Sequence, residues 1–384
     1  MQLNVDGLRA LAAGEFRAAR TAFGAAADLD PAAPALWLNV AKAARLLGDD
    51  RDEHSALDRV LALDARDLTA LIRKAELCQR CGEVAEATRL WSGVLQIAPP
   101  AAERSPALAA LLTEAQAFVA ERTAAFTVEL DRGLAGTGVD AAERRRFDAA
   151  VDAATGRRRI YANECAGMHV PFLPADEFFD RAHFPWLAAI EAETPAIRAE
   201  LAALLADGAP GLQPYVAMQP GVPVNKWTPL DGSLDWGAYY LWKYGAPVAD
   251  ALARCPATAA ALAALPKADL PGRAPTAFFS LLRPGTHIPP HTGVSNARAI
   301  VHLPLIVPPR CSLRVGGEVR SWTEGEALVF DDTIEHEAWN DSSKLRAVLI
   351  FDVWNPYLSA TERDLLRRFF DIADRSGFYP PSDD

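Results

Sequence analysis

The chain has 384 residues, half of them hydrophobic, with 39 basic and 50 acidic side chains and a net charge of −11. That length exceeds one small core and suits two or three domains, and the acidic balance excludes general binding to a nucleic-acid backbone. No apolar run approaches the roughly 18 residues that cross a bilayer. The start, Met1–Asp6, lacks the basic segment and apolar core of a secretory signal. A cytoplasmic protein with no membrane partner is therefore expected. Cys78, Cys81, Cys165, Cys255 and Cys311 are an odd, scattered set, which fits reduced thiols better than disulfides. Cys78-x-x-Cys81 has no second pair after it, so the expectation is helix-packing thiols and not structural zinc.

The first hundred residues repeat. Gly14, Gly48 and Gly82 recur at a spacing of 34, as do Phe23, Leu57 and Trp91, and Leu29, Leu63 and Ile97. Pro31 and Pro99 stand two such steps apart. A turn glycine, a large apolar residue nine positions on and a proline after the second helix form the tetratricopeptide pattern. A helix pair cannot bury its apolar face alone, so the units must stack, and three is about the minimum. Residues 1–102 are assigned to these repeats, whose surface serves either as a rigid spacer or dimerisation face or as a groove presenting a protein or peptide.

Helical character continues without the repeat. Ala107–Ala125 and Asp140–Ala154 fill a linker at 103–160, and Trp186–Leu205 carries Leu187, Ile190, Ile197 and Leu201 at helical spacing. Asp207-Gly208-Ala209-Pro210-Gly211 breaks the pattern. Short β-type runs follow at Gly237–Trp242, Ala277–Leu282, Ala299–Val307, Ser312–Val315, Ala327–Phe330, His336–Trp339 and Arg346–Val353, divided by Gly- and Pro-rich turns. Thr361–Ile372 reads as a closing helix and Pro380–Asp384 as a frayed end. The expected class is an α+β multidomain chain. An α-helical repeat solenoid precedes a double-stranded β-helix, or jelly roll, at 161–375 with bracing helices.

Four of the seven histidines fall between Phe278 and Trp354. His291 closes the turn-like stretch from Pro284, and His336 sits on a later expected strand. Two imidazoles on separate strands suit iron or another first-row metal that keeps positions open. Gly293, two residues past His291, supplies no third ligand. Asp331 and Asp332 read as turn formers or partners of a ligand, and Glu335 and Glu337 as facing away from His336. Arg346 opens the apolar run Ala347–Phe351. A guanidinium there needs an anion, because burying it unpaired is costly. Either a nearby acid supplies one, or a bound dicarboxylate such as 2-oxoglutarate is gripped bidentately. His302 and Ser280, on neighbouring expected strands, can donate to the same dicarboxylate or simply bond the backbone. His287 reads as lining the entrance, and His54, His169 and His183 as surface or packing residues.

Several segments recur in a known order: Phe279-Ser280, Pro284-Gly285-Thr286-His287, Pro290-His291-Thr292-Gly293, Asn296-x-Arg298, His302-Leu303, Phe330-Asp331-Asp332, Glu335-His336-Glu337 and Asp352-Val353-Trp354. Together they resemble the aspartyl/asparaginyl β-hydroxylase family of non-haem iron, 2-oxoglutarate-dependent dioxygenases. The resemblance covers about Trp236 to Tyr357, and more weakly extends back to Tyr161. It implies Fe(II) held by His291 and His336, with water where Gly293 leaves no carboxylate. It implies 2-oxoglutarate bound by Arg346, His302, Ser280 and Trp236, with O2 as oxidant and succinate and CO2 as co-products. The carbon hydroxylated would be the β-carbon of an Asp/Asn-type residue in a protein or peptide, which the repeats help to bind. One departure stands out: where members acting on aspartyl residues carry an arginine two positions before the strand histidine, this chain has Ile300, with Arg298 further back. The alternatives are hydroxylation of a lipid acyl chain or small molecule within the same family, an iron halogenase, and a non-catalytic repeat scaffold with a cupin-like sensor domain.

Overall fold

The computed structural model describes residues 2–135 and 138–377, and the chain divides into two compact units, Met1–Asp148 and Ala149–Asp384. The expected fraying at Pro380–Asp384 lies outside the described residues.

The first unit is built from helix pairs: α1 (Gln2–Ala12) with α2 (Phe16–Leu29), α3 (Pro34–Leu47) with α4 (Asp50–Leu63), and α5 (Leu68–Arg80) with α6 (Val84–Ile97). Each helix packs on the next in sequence. The 34-residue step reappears in space. Helices α2, α4 and α6 start just after Gly14, Gly48 and Gly82, whose φ angles of +76°, +68° and +77° favour a residue without a side chain. Phe23, Leu57 and Trp91, one step apart, are all buried, as stacked tetratricopeptide pairs require. Asp49 and Asp67 cap α4 and α5 by accepting from the Asp52 and Ala70 amides. Beyond residue 102, α7 (Pro106–Leu134) packs on α6 and shares a core with it through Leu112 and Ala115. The segment read as a linker thus begins as a further helix of the stack. After it comes α8 (Ala141–Ala154).

The second unit opens with α9 (Leu187–Ala192) and α10 (Thr194–Ala206), where the sequence suggested one helix. Pro195, in the first turn of α10, removes the amide that would have continued α9. Then come β1 (Gln213–Pro214), β2 (Trp236–Lys243), β3 (Ala246–Pro247), α11 (Ala249–Arg254), α12 (Pro256–Ala263) and β4 (Ala277–Leu282). The chain continues through β5 (Thr286–His291), β6 (Arg298–Ile306), β7 (Cys311–Val315), β8 (Glu318–Ser321), β9 (Leu328–Phe330), β10 (His336–Asn340), β11 (Arg346–Trp354) and α13 (Ala360–Ser376). The strands form two antiparallel sheets. A 7-stranded sheet runs β1-β2-β4-β11-β6-β9 with β3 on β2, and a 4-stranded sheet runs β5-β10-β7-β8.

Side-chain alternation along the large sheet decides what faces where. Odd-numbered residues of β4, β6 and β11, such as Phe279, Val301, Leu303, Leu349 and Phe351, enter a core shared with α9, α10 and α12. The even-numbered ones turn the other way, among them Ser280, Ile300, His302 and Arg346. Trp236, Leu282 and Phe330 of the large sheet meet Ile288, Leu313 and Ala338 of the small sheet in a second core. A polar set is thereby carried into the space between the sheets.

Several elements were missed in the sequence. The stretch read as a turn before His291 is β5. Its Pro289 and Pro290 stand opposite Glu337, where the register shifts between His336 and Ala338, so they fall in a bulge on an edge strand that needs no donor there. Strand β8 is a charged edge strand without apolar alternation. In α12, alanines on every side leave no stripe to mark a helix.

Candidate active site

The β5–β10 register sets His291 directly across from His336, with ring centroids 4.0 Å apart. Each ring is held by a carbonyl two residues back: His291 Nδ1 donates to Pro289 O at 2.8 Å, and His336 Nδ1 donates to Ile334 O at 3.0 Å. A carbonyl only accepts, so the proton sits on Nδ1 and Nε2 keeps its lone pair. Burial pushes the His291 pKa down to about 4 and that of His336 well below the ordinary value. Both rings are therefore neutral at physiological pH, the form that ligates a metal.

Arg346 lies on the facing sheet, 1% exposed. Its Nη1 donates to Ser280 O at 3.3 Å and to Ser280 Oγ at 3.2 Å, and its guanidinium stands 5.0 Å from the Trp322 ring centroid. Burial pushes its pKa down to about 10, offset by the Cys311 thiol and by no carboxylate. Arg346 Nε, His302 Nδ1 and Trp322 Nε1 are buried without a partner among the described residues. The His302 ring stacks 5.9 Å from Trp322, and burial holds its pKa well below the ordinary range. An orphaned buried donor costs about 1–3 kcal/mol. Two such groups beside a guanidinium whose own Nε is unpaired match an anion with several acceptor oxygens. Trp236 completes the group by donating from Nε1 to Ser280 Oγ at 3.2 Å while stacking on Tyr215 at 3.8 Å.

His291, His336, Trp236, Ser280, His302 and Arg346 all line one cavity of about 330 Å³. The residues singled out from sequence therefore converge. The expectation for His287 needs correction: it does not line this cavity. Its ring is 44% exposed, bonds Glu337 at 2.8 Å and lies parallel to Trp339, on the other side of β5 from the site. Glu335 and Glu337 both engage Arg314, away from the His336 ring. Asp331 is a turn former, accepting from Thr333 and Asn163.

Sequence reading missed the part played by Trp322 and gave Asp332 no definite place. Gly293 N donates to Asp332 O at 2.6 Å, and a Cβ built on Gly293 would meet Asp332 Oδ2 at 2.1 Å. The absent side chain at position 293 is thus what makes room for the Asp332 carboxyl, whose pKa burial pushes up to about 7 against the opposing pull of Arg298. Only the folded loop brings these two residues together, so no sequence signal marks the pair. Gly293→Ala is expected to lower the thermal unfolding midpoint, and Asp332→Ala is expected to recover most of that loss. The double-mutant coupling should be about 1–3 kcal/mol. Additive effects would show that the two groups do not compete for one space.

Two neutral imidazoles with free Nε2 atoms fit Fe(II) with open positions. The unpaired donors around Arg346 fit a carboxylate.

Residues 191–356 match the family model described as aspartyl/asparaginyl beta-hydroxylase. The ornithine lipid ester-linked acyl 2-hydroxylase of Rhizobium tropici is 37% identical over 184 residues, covering 47% of this chain and 61% of that protein. The aspartyl/asparaginyl beta-hydroxylase of Mus musculus is 40% identical over 131 residues, covering 34% of this chain and 17% of that protein. The chain thus spans under two thirds of either relative. Among solved structures, the Yersinia enterocolitica type III secretion chaperone SycD, in complex with a peptide of the translocator YopD, aligns at 18% identity and a TM-score of 0.28. That alignment covers 31% of this chain and 87% of the chaperone. Over residues 191–356, the chain is thus similar to the aspartyl/asparaginyl β-hydroxylase family.

Proposed function

We propose that the second unit is an Fe(II)- and 2-oxoglutarate-dependent dioxygenase that hydroxylates an unactivated carbon, and that its two sheets form a double-stranded β-helix. Arg346 carries the proposal: a guanidinium 1% exposed, without an acidic partner, in the same cavity as two imidazoles with free Nε2 atoms. When bound, the iron supplies the oxygen chemistry that no side chain can, with O2 as oxidant and succinate and CO2 as co-products. His291 and His336 would hold the metal and leave its other positions open to water and substrate. Arg346 holds the far carboxylate of 2-oxoglutarate, with Ser280, His302 and Trp236 fixing its orientation. The aromatic walls keep bulk water from the reacting atoms. Five free cysteines suit the reducing cytoplasm expected from the sequence.

The family points to the β-carbon of an Asp/Asn-type residue in a protein or peptide, and the helical repeats are the proposed place to bind one. A second substrate reading, an acyl chain or other apolar small molecule, draws support from the cavity wall. Ile300 lies there between Arg298 and His302, opposite Asp352 and Phe330, and Tyr240, Phe278 and Ile350 line the same cavity. Arg298 is taken up by Asp352 at 2.5 Å and is not free to meet a substrate acid. A neutral amide or an acyl carbon fits this wall better than an aspartyl carboxylate. Among the described residues no helix is long and apolar enough to cross a membrane.

The test is mass spectrometry of cell lysate treated with active protein or with His336→Ala, searching for products heavier by one oxygen. Products common to both samples would count against the proposal. Once a substrate is found, Ile300→Arg should shift the ratio of kcat/KM values toward acidic analogues by about tenfold or more. An unchanged ratio would show that position 300 does not face the substrate.

A further inference from the structure

The first unit holds a second group of metal-type donors, unrelated to the histidine pair. His54 on α4, the Cys78 thiol on α5 and the Glu83 carboxylate ahead of α6 each offer a ligand atom, all within 4.8 Å of one another. Cys78 is fully buried, while the His54 side chain is 41% exposed. His54 and Glu83 line an open groove of about 630 Å³, together with Cys81 and Asp58. The thiol is thus buried behind the groove, and the imidazole and carboxylate line it.

The repeat supplies its own control. One 34-residue step earlier, the places of His54, Glu83 and Cys78 are held by Arg20, Asp49 and Ala44. There Arg20 pairs with Asp49 at 3.8 Å and also with Asp52, an ordinary ion pair between neighbouring repeats. At the next junction the guanidinium has become an imidazole and the alanine a thiol. An ion pair needs neither change, whereas a metal site needs both. Asp58 adds a further feature: its carboxylate lies 3.0 Å from His54 Nδ1, which orients the ring and leaves Nε2 with the lone pair. Carboxylate–histidine–metal arrangements have this form.

We propose that His54, Cys78 and Glu83 form a zinc site that pins the second and third helix pairs together. A thiolate, an imidazole and a carboxylate make three of the four ligands zinc takes, and water from the groove is the fourth. Burial and the neighbouring Glu83 hold the free thiol up at about 11. The metal-free form therefore carries S–H, and one proton passes to solvent as the S–Zn bond forms.

The test uses the full chain in a His336→Ala background, stripped of metal with a chelator. Cobalt(II) is titrated first, because thiolate ligation gives a near-ultraviolet charge-transfer band that nitrogen and oxygen ligands do not. Zinc affinity is then measured against a chromophoric chelator. One equivalent of cobalt should raise the band, and zinc should remove it. Cys78→Ser should abolish the band, and His54→Ala and Glu83→Gln should each weaken zinc binding by about tenfold or more. Cys81→Ser should change neither. Should Cys78→Ser fail to fold, the exposed positions 54 and 83 decide. Undiminished zinc affinity in both of those variants, no band at stoichiometric cobalt, or a band lost in Cys81→Ser but kept in Cys78→Ser would each overturn the proposal.

Discussion

Replacing His336 with alanine is expected to abolish iron retention and succinate formation while leaving the fold intact. Half of the proposed protein ligand set is this one ring. Partners that merely orient a metal ligand cost about 10–100-fold when removed, so losing a ligand itself should exceed about 100-fold. The strand keeps its backbone pairing with β5 and β7 when the ring and its orienting bond to Ile334 O are removed. Far-ultraviolet circular dichroism should therefore match the parent, while iron content after gel filtration and 2-oxoglutarate turnover fall to background. Full succinate formation by this variant would contradict the assignment.

Arg346→Met should produce two effects of opposite sign. Truncating one partner of a buried, hydrogen-bonded charge pair costs about 2–5 kcal/mol, so the KM for 2-oxoglutarate should rise about 30-fold or more. The metal-free protein should lose no stability and is expected to gain some. Replacing a buried charge by an apolar side chain of similar length is often neutral or stabilising by about 1–4 kcal/mol, and here the charge has no acidic partner to forfeit. A structural arginine would behave in the reverse way, with a lower unfolding midpoint and an unchanged KM. Both are read from one preparation, by thermal unfolding without ligand and by initial rates across 2-oxoglutarate concentrations. Arg346→Lys should not restore binding, because an ammonium cannot reproduce the planar fork of donors.

The repeats were legible because their period is local and redundant. Gly14, Gly48 and Gly82 must adopt left-handed backbone, and Phe23, Leu57 and Trp91 must be buried, so the requirement is written three times. Arg346 and His302 were legible for a different reason. A polar side chain inside a β-type apolar run has few explanations, and alternation assigns it a face. What escaped was non-local. Strand β5 hid behind Pro289 and Pro290, which are acceptable only because a bulge on an edge strand asks nothing of their nitrogens. Trp322 follows β8, and its unpaired Nε1 becomes visible only once His302 and Arg346 are packed against it. Cys78 was paired in sequence with Cys81, whereas in the fold its metal-type neighbours are His54 and Glu83, contributed by two other elements.

The central claim is that two imidazoles and one guanidinium serve a single centre, and anaerobic titration with Fe(II) and 2-oxoglutarate tests it most directly. The account predicts a visible charge-transfer band that requires both components, vanishes in His336→Ala and appears in Arg346→Met only at much higher 2-oxoglutarate. No absorbance change at saturating concentrations of both, or an undiminished band in His336→Ala, would contradict it.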